Sequence, residues 1–300
     1  MQHRLGQQMR ISQSPGINRY KRQLAAALDR AGVLGALLRA RAFSGPSIRC
    51  VNYHSVPPWA APSFDQQIRW FAERFAFVGE KELLGLLDGH WPHRVPGILF
   101  SFDDGCRTHA EVVAPLLEKH GAVGWFSVPS AFCDVPEAEQ REWARTHAIS
   151  AWAPDGDSRM ALTWDQVREL DARHVVVSHT RDHVRLADAI GEAAIREQVF
   201  EDKRRLEQEL HHEVRAFAWV GGEEFAYSAA GARAIREAGF RIAFGTNNRP
   251  VRPGDDPLRI ERTNLEAGFP LDVLRLQISG VLDWMYAPKR RRLARRLASA

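Results

Sequence analysis

Asp103 and Asp104 are adjacent carboxylates at the end of an apolar run, Ile98-Leu99-Phe100-Ser101-Phe102, and Gly105 follows them. The run is rich in β-forming residues and predicts a strand. Side chains alternate faces along a strand, so both carboxylates reach one pocket only if the strand ends there and the backbone curls. Gly105 permits that curl because it has no Cβ. Such a pair suits two jobs, one carboxylate binding a metal and the other left to take a proton. The competing reading is a turn that caps the next helix.

A second stretch favours chemistry. Val175-Val176-Val177 predicts another strand with a polar end, Ser178-His179-Thr180-Arg181-Asp182-His183. If the chain turns helical there, His179 and His183 share a face closely enough to hold one ion. One Asp and two His leave coordination positions open, as in catalytic rather than structural metal sites. His54 ends a third predicted strand, Ile48 to His54, closed by Pro57-Pro58. In an α/β barrel the C-terminal strand ends share one face, where active sites are built. That groups His54 with the other residues.

The elements that must carry these residues alternate. Predicted strands are separated by helical segments, the pattern of a parallel α/β sheet. Phe64, Ile68, Phe71 and Phe75 fall at helical spacing within a helical region over 63–89. A helix over 107–120 follows the aspartates, and on it His109 and His120 read as solvated. Thr163 and Gln166 form a capping-box pattern at a helix start. A long charged helix is expected over 188–213. Ala216 to Gly222 predicts a short strand entering a glycine turn.

The first stretch resembles the T-F-D-D-G motif of the polysaccharide deacetylases, the NodB-homology group of carbohydrate esterases. The second is similar to that family's H-[S/T]-x-x-H motif, and the resemblance spans roughly residues 48 to 265. It implies a distorted (β/α) barrel of the NodB type and a metal-dependent hydrolase that removes N-acetyl groups from a glycan of amino sugars. Asp104, His179 and His183 would hold a divalent metal: zinc by ligand type, with nickel, cobalt or iron as alternatives. Asp103 would be the base and His54 the acid. Tyr53-His54 resembles the Y-H motif of the circularly permuted poly-N-acetylglucosamine deacetylases, and no histidine follows His212.

Ala216 to Gly222 occupies the place of a third family motif, F-A-Y-P-x-G, with Trp219 for Tyr and Val220 for Pro. Substrate-groove contacts are expected from Trp219, Gly221 and Tyr53. Arg259-Ile260-Glu261-Arg262 resembles an R-I-x-R segment near the end of this group's domain. Residues 133–161 read as an insertion whose Trp143 and Trp152 either stack on sugar or pin the loop. Two rival functions stand beside the main one: deformylation of a lipid-linked sugar, and an inactive carbohydrate-binding relative.

The chain has 300 residues and a formal charge of +4, too mild to indicate a nucleic-acid partner. Its cysteines, Cys50, Cys106 and Cys133, are odd in number, and a reducing compartment is the simpler reading. The sequence shows neither a signal-peptide pattern nor a membrane-spanning apolar run, so a cytoplasmic location is expected, with peripheral membrane contact through the basic termini as the extension. Three regions are expected. Residues 1–45 form an N-terminal arm with an amphipathic helix from Tyr20 to Phe43, in which Leu24, Leu28, Leu34 and Leu38 are apolar. Residues 46–285 form the catalytic domain, and 286–300 a basic tail. Nothing in the sequence sets the oligomeric state.

Overall fold

The computed structural model describes residues 19–42 and 45–298. Eight parallel strands form the centre: β1 (Ile48–Tyr53), β2 (Ala76–Phe77), β3 (Gly97–Phe102), β4 (Gly124–Val128), β5 (Val175–Ser178), β6 (Ala216–Ala218), β7 (Ile242–Gly245) and β8 (Ile260–Asn264). Their order is β1-β8-β7-β6-β5-β4-β3-β2, and β1 also pairs with β3. Seven strands therefore close into a barrel, and β2 is appended beside the start of β3. Closure leaves no long unpaired edge. This is the expected (β/α) barrel, distorted by its uneven strands; β5 and β6 meet at one residue pair, Ser178 and Phe217.

Strand alternation divides the core into two. Outward residues such as Val51, Tyr53, Phe100, Phe102, Phe126 and Phe217 are buried under the surrounding helices, against Phe64, Ile68, Leu117, Val199 and Leu206. Inward residues fill the barrel with Ile48, Cys50, Leu99, Trp125, Val177, Ile242 and Phe244. Above this apolar floor the same inward rows turn polar. Leu99 gives way to Ser101 and Asp103, Cys50 to Asn52, and Ile260 to Arg262. The chemistry is thus built on the barrel's C-terminal end.

The helical region over 63–89 is two helices, Ala61–Ala72 and Glu80–Leu87, divided by β2. The capping box forms as expected: Thr163 accepts from the Gln166 N–H at the start of the helix Trp164–Asp171. The expected N-terminal helix is also two, Arg19–Arg30 and Val33–Ala42, broken at Gly32 with φ +73°; Phe43 lies outside the described residues. Ala25 and Leu34 are buried, and Asp29 pairs with Arg275 on the helix Leu271–Ile278 at 2.8 Å. Leu24, expected to pack, is 53% exposed.

The last helix, Val281–Leu297, crosses the expected boundary between residues 285 and 286. It lies against the barrel. Arg49 on β1 makes a buried two-pronged bond to Asp283, at 2.9 and 2.8 Å. Leu293 is buried, and Arg290 donates to the carbonyls of Asn247 and Asn248. Its basic residues are therefore partly structural. Among the described residues no helix is long and apolar enough to cross a membrane.

Candidate active site

The β3 strand ends as the two carboxylates require. Asp103 continues the inward row, and its N–H donates to the Tyr53 carbonyl at 2.9 Å. Asp104 would point outward on a regular strand, but φ there is +84°, and +60° at Gly105. The curl starts one residue earlier than the glycine suggests, on Asp104 itself. Such a backbone costs a non-glycine residue on the order of 1–3 kcal/mol, and such strain clusters at functional sites. The Gly105 N–H donates to the Ser127 carbonyl at 2.9 Å, which holds the turn.

His179 and His183 do converge, but not through a helix. Residues 180–183 form a tight turn in which Thr180 and His183 have φ of +61° and +51°. Thr180 Oγ1 closes it, accepting from the Val184 N–H at 3.0 Å. Each imidazole is held from behind. His179 Nδ1 donates to the Ala218 carbonyl at 2.8 Å, and His183 Nδ1 to the His147 carbonyl at 2.7 Å. Those bonds fix the tautomers and leave both Nε2 lone pairs facing inward. The Nε2 atoms lie 3.6 and 3.1 Å from Asp104 Oδ1. One donor atom from each of Asp104, His179 and His183 falls within 4.8 Å of the others. The set fits a divalent cation in number, type and orientation of donors.

Electrostatics agree. Burial pushes the Asp104 carboxyl up, but His183, His54 and His179 outweigh it and hold it well below the usual carboxylate range. Burial lowers the His183 pKa, yet Asp104 outweighs that and the net direction is up. The pocket thus draws a positive charge to Nε2, whether proton or metal.

Asp103 is the other half of the site. Arg262, fully buried, grips it with two parallel bonds, Nη1 to Oδ1 at 2.7 Å and Nη2 to Oδ2 at 2.9 Å. Asn52 Nδ2 donates to Oδ2 at 2.8 Å. Arg262 Nη1 and Ser101 Oγ both donate to Asn52 Oδ1, which sets that amide's orientation. Burial raises the Asp103 carboxyl, but Arg262 and His179 overcome it and hold it far below its ordinary value. Arg262→Met should remove the largest influence opposing burial, so the acid limb of kcat/KM moves to higher pH. Breaking one side of a buried pair should also cost about 3–5 kcal/mol of stability. A pH–rate profile and a denaturant melt check both.

A cavity of about 590 Å³ opens over these groups. His54 and Gly221 line it with Asp103, Asp104, His179 and His183. Gly221 has φ +79°, a backbone conformation that favours glycine. Arg185 and Glu223 pair at this rim, and Arg185 holds the Glu223 carboxyl down to about 2. Two expected contacts fall elsewhere. Tyr53 sits on the outward face of β1, buried, with its hydroxyl donating to Gln67 at 2.8 Å and its ring stacked on Phe102. Trp219 is buried against Phe217 and Tyr227. Strand parity turns both rings away from the cavity.

Several contributors were not evident from sequence. Asp202, from the helix Glu192–Leu210, accepts from Ser178 Oγ, the His179 N–H and the Ser130 N–H at 2.6–2.9 Å, and so fixes the end of β5. The insertion supplies the His147 carbonyl, and Trp152 and Trp59 line the cavity. Trp143 instead pins the insertion, stacked on Phe132 at 4.9 Å.

The sequence model of the polysaccharide deacetylases matches residues 92–243, just over half of the chain. The chain belongs to the polysaccharide deacetylase family. The matched span carries Asp103, Asp104, His179 and His183; His54 and Arg262 lie outside it. No curated protein matches. Among solved structures, the Streptococcus pyogenes deacetylase PplD in complex with acetate is 18% identical with a TM-score of 0.62, over 77% of this chain and 98% of that one. IcaB from Ammonifex degensii is 23% identical, TM-score 0.58, over 80% and 98%. The BpsB deacetylase domain from Bordetella bronchiseptica is 17% identical, TM-score 0.57, over 73% and 96%. At these identities the likeness is one of fold.

Proposed function

We propose that the protein hydrolyses N-acetyl groups on amino sugars of a glycan, with Asp103 as base, His54 as acid and Asp104, His179 and His183 as the ligands of a divalent metal, zinc by ligand type. The observation that supports this most is the convergence of two tautomer-fixed imidazoles and Asp104 beside a separately held carboxylate. When bound, such a metal lowers the pKa of water to about 7 and polarises an acyl oxygen.

The chain's own groups do the rest. A carboxylate has about four lone-pair positions, and Arg262 and Asn52 occupy three of those on Asp103. The free one is on Oδ1. A base as acidic as Asp103 cannot deprotonate ordinary water, so it depends on an acidified one. It takes that proton as the carbonyl carbon is attacked. His54, exposed in the cavity, gives a proton to the departing nitrogen. Trp59, 54% exposed, and Trp152 offer aromatic faces to sugar rings.

His54→Ala should retain stoichiometric metal and lower kcat on the order of 100- to 10,000-fold. Full activity in that variant would remove His54 from the reaction. The substrate reading is tested by incubating N-acetyl and N-formyl glucosamine oligomers and measuring the acid released. Acetate release supports the proposal, whereas formate release alone would transfer it to the deformylase reading.

A further inference from the structure

The helical segment after Gly105 begins with a π-helical turn, His109–Val113. Turns of this kind are rare and frequently mark functional sites. Thr108 and His109 at its start are both fully buried. Their side-chain hydrogen bonds reach across to the segment that carries His54. His109 Nε2 donates to the His54 carbonyl at 3.3 Å. Thr108 Oγ1 accepts from the Val56 N–H at 3.2 Å and lies 3.2 Å from Ser55 Oγ. Ser55 Oγ in turn accepts from the Trp152 N–H at 3.0 Å. Three consecutive residues, His54, Ser55 and Val56, are thus tied to one turn.

The arrangement has no evident purpose in packing alone. A histidine among Phe102 and Phe126 costs more to bury than an apolar side chain, and its Nδ1 has no partner. Burial pushes the His109 pKa down to about 4, so the ring is neutral and its one N–H goes to the His54 carbonyl. His54 itself sits just past the end of β1, where no ladder bond fixes it. Its ring is exposed, so its position depends on its backbone.

We infer that Thr108 and His109 are positioning residues that hold His54 at a fixed distance from the metal site, so that the Asp-Asp-Gly turn and the acid move as one unit. This rests on His54 acting as the acid. Proton donation requires the donor within hydrogen-bond reach, and a misplacement near 1 Å can cost on the order of 100-fold.

The test is a set of variants assayed for kcat, KM and metal content. Thr108→Val keeps shape but removes the hydroxyl, and His109→Leu removes the ring N–H. Each is expected to lower kcat by roughly 10- to 100-fold with KM and bound metal unchanged. His109→Gln, whose amide can still donate to the carbonyl, should recover most of that loss. In a His54→Ala background Thr108→Val should cost nothing further, since the group it positions is gone. An equal loss in both backgrounds, or wild-type kcat in Thr108→Val, would overturn the inference while leaving His54 as the acid. An unimpaired His54→Ala would overturn both.

Discussion

Asp103→Asn is expected to keep the metal and to lose turnover, with kcat down by about 100- to 10,000-fold. The substitution is nearly isosteric and touches none of Asp104, His179 or His183, so metal stoichiometry should be unchanged. What is lost is the free lone pair of a charged oxygen. The substitution would also leave Arg262 facing a neutral amide in a fully buried site, so a lower melting temperature should accompany the loss. The pH dependence separates the two effects. A carboxyl held below its ordinary value stabilises the fold above that value and loses the contribution as pH falls toward the folded one. Asp103 is such a group, because Arg262 overcomes its burial. The stability gap between wild type and Asp103→Asn should therefore be full at neutral pH and shrink in acid, while the activity gap remains. Unchanged acetate release would remove Asp103 from the reaction.

His183→Ala is expected to lose the metal itself. Altering a group that only supports a metal ligand typically costs about 10- to 100-fold in affinity, and removing a ligand costs more. The loss should be larger than for His54→Ala and should differ in kind: elemental analysis should find substoichiometric metal, and activity should return in part when excess metal is added. Asp202→Asn is the informative companion. Asp202 touches no donor atom but fixes the His179 backbone, so metal affinity should fall while the site stays intact. Stoichiometric metal retained tightly in His183→Ala would end its role as a ligand.

Strand periodicity and short polar ends carry most of the site. Asp103, Asp104, His179, His183 and His54 are legible in the sequence because each closes an apolar, β-forming run, and parallel strands deliver such ends to one face. The local geometry is not legible. Nothing in the spacing of His179 and His183 distinguishes a helix from a tight turn, since either brings them together. Tyr53 and Trp219 fall away from the cavity because strand parity, not motif resemblance, decides where a side chain points. Tyr53 is one residue out of phase with Asn52, and Asn52, not Tyr53, points into the barrel. His109 is buried rather than solvated, and a lone histidine on a helix carries no sign of that; the Phe residues around it come from β3 and β4. Arg262 carries a detectable signal, a charged residue on the inward row of a strand whose neighbour Ile260 is buried. Its partnership with Asp103 joins residues far apart in sequence and becomes visible only in the closed barrel.

Acetate release from N-acetylglucosamine oligomers, measured on the intact chain before chelation, after chelation and after adding zinc back, bears most directly on the three convergent donors. Activity that disappears with the chelator and returns with the metal is the predicted result. Acetate release that continues unchanged in the metal-free protein would contradict it.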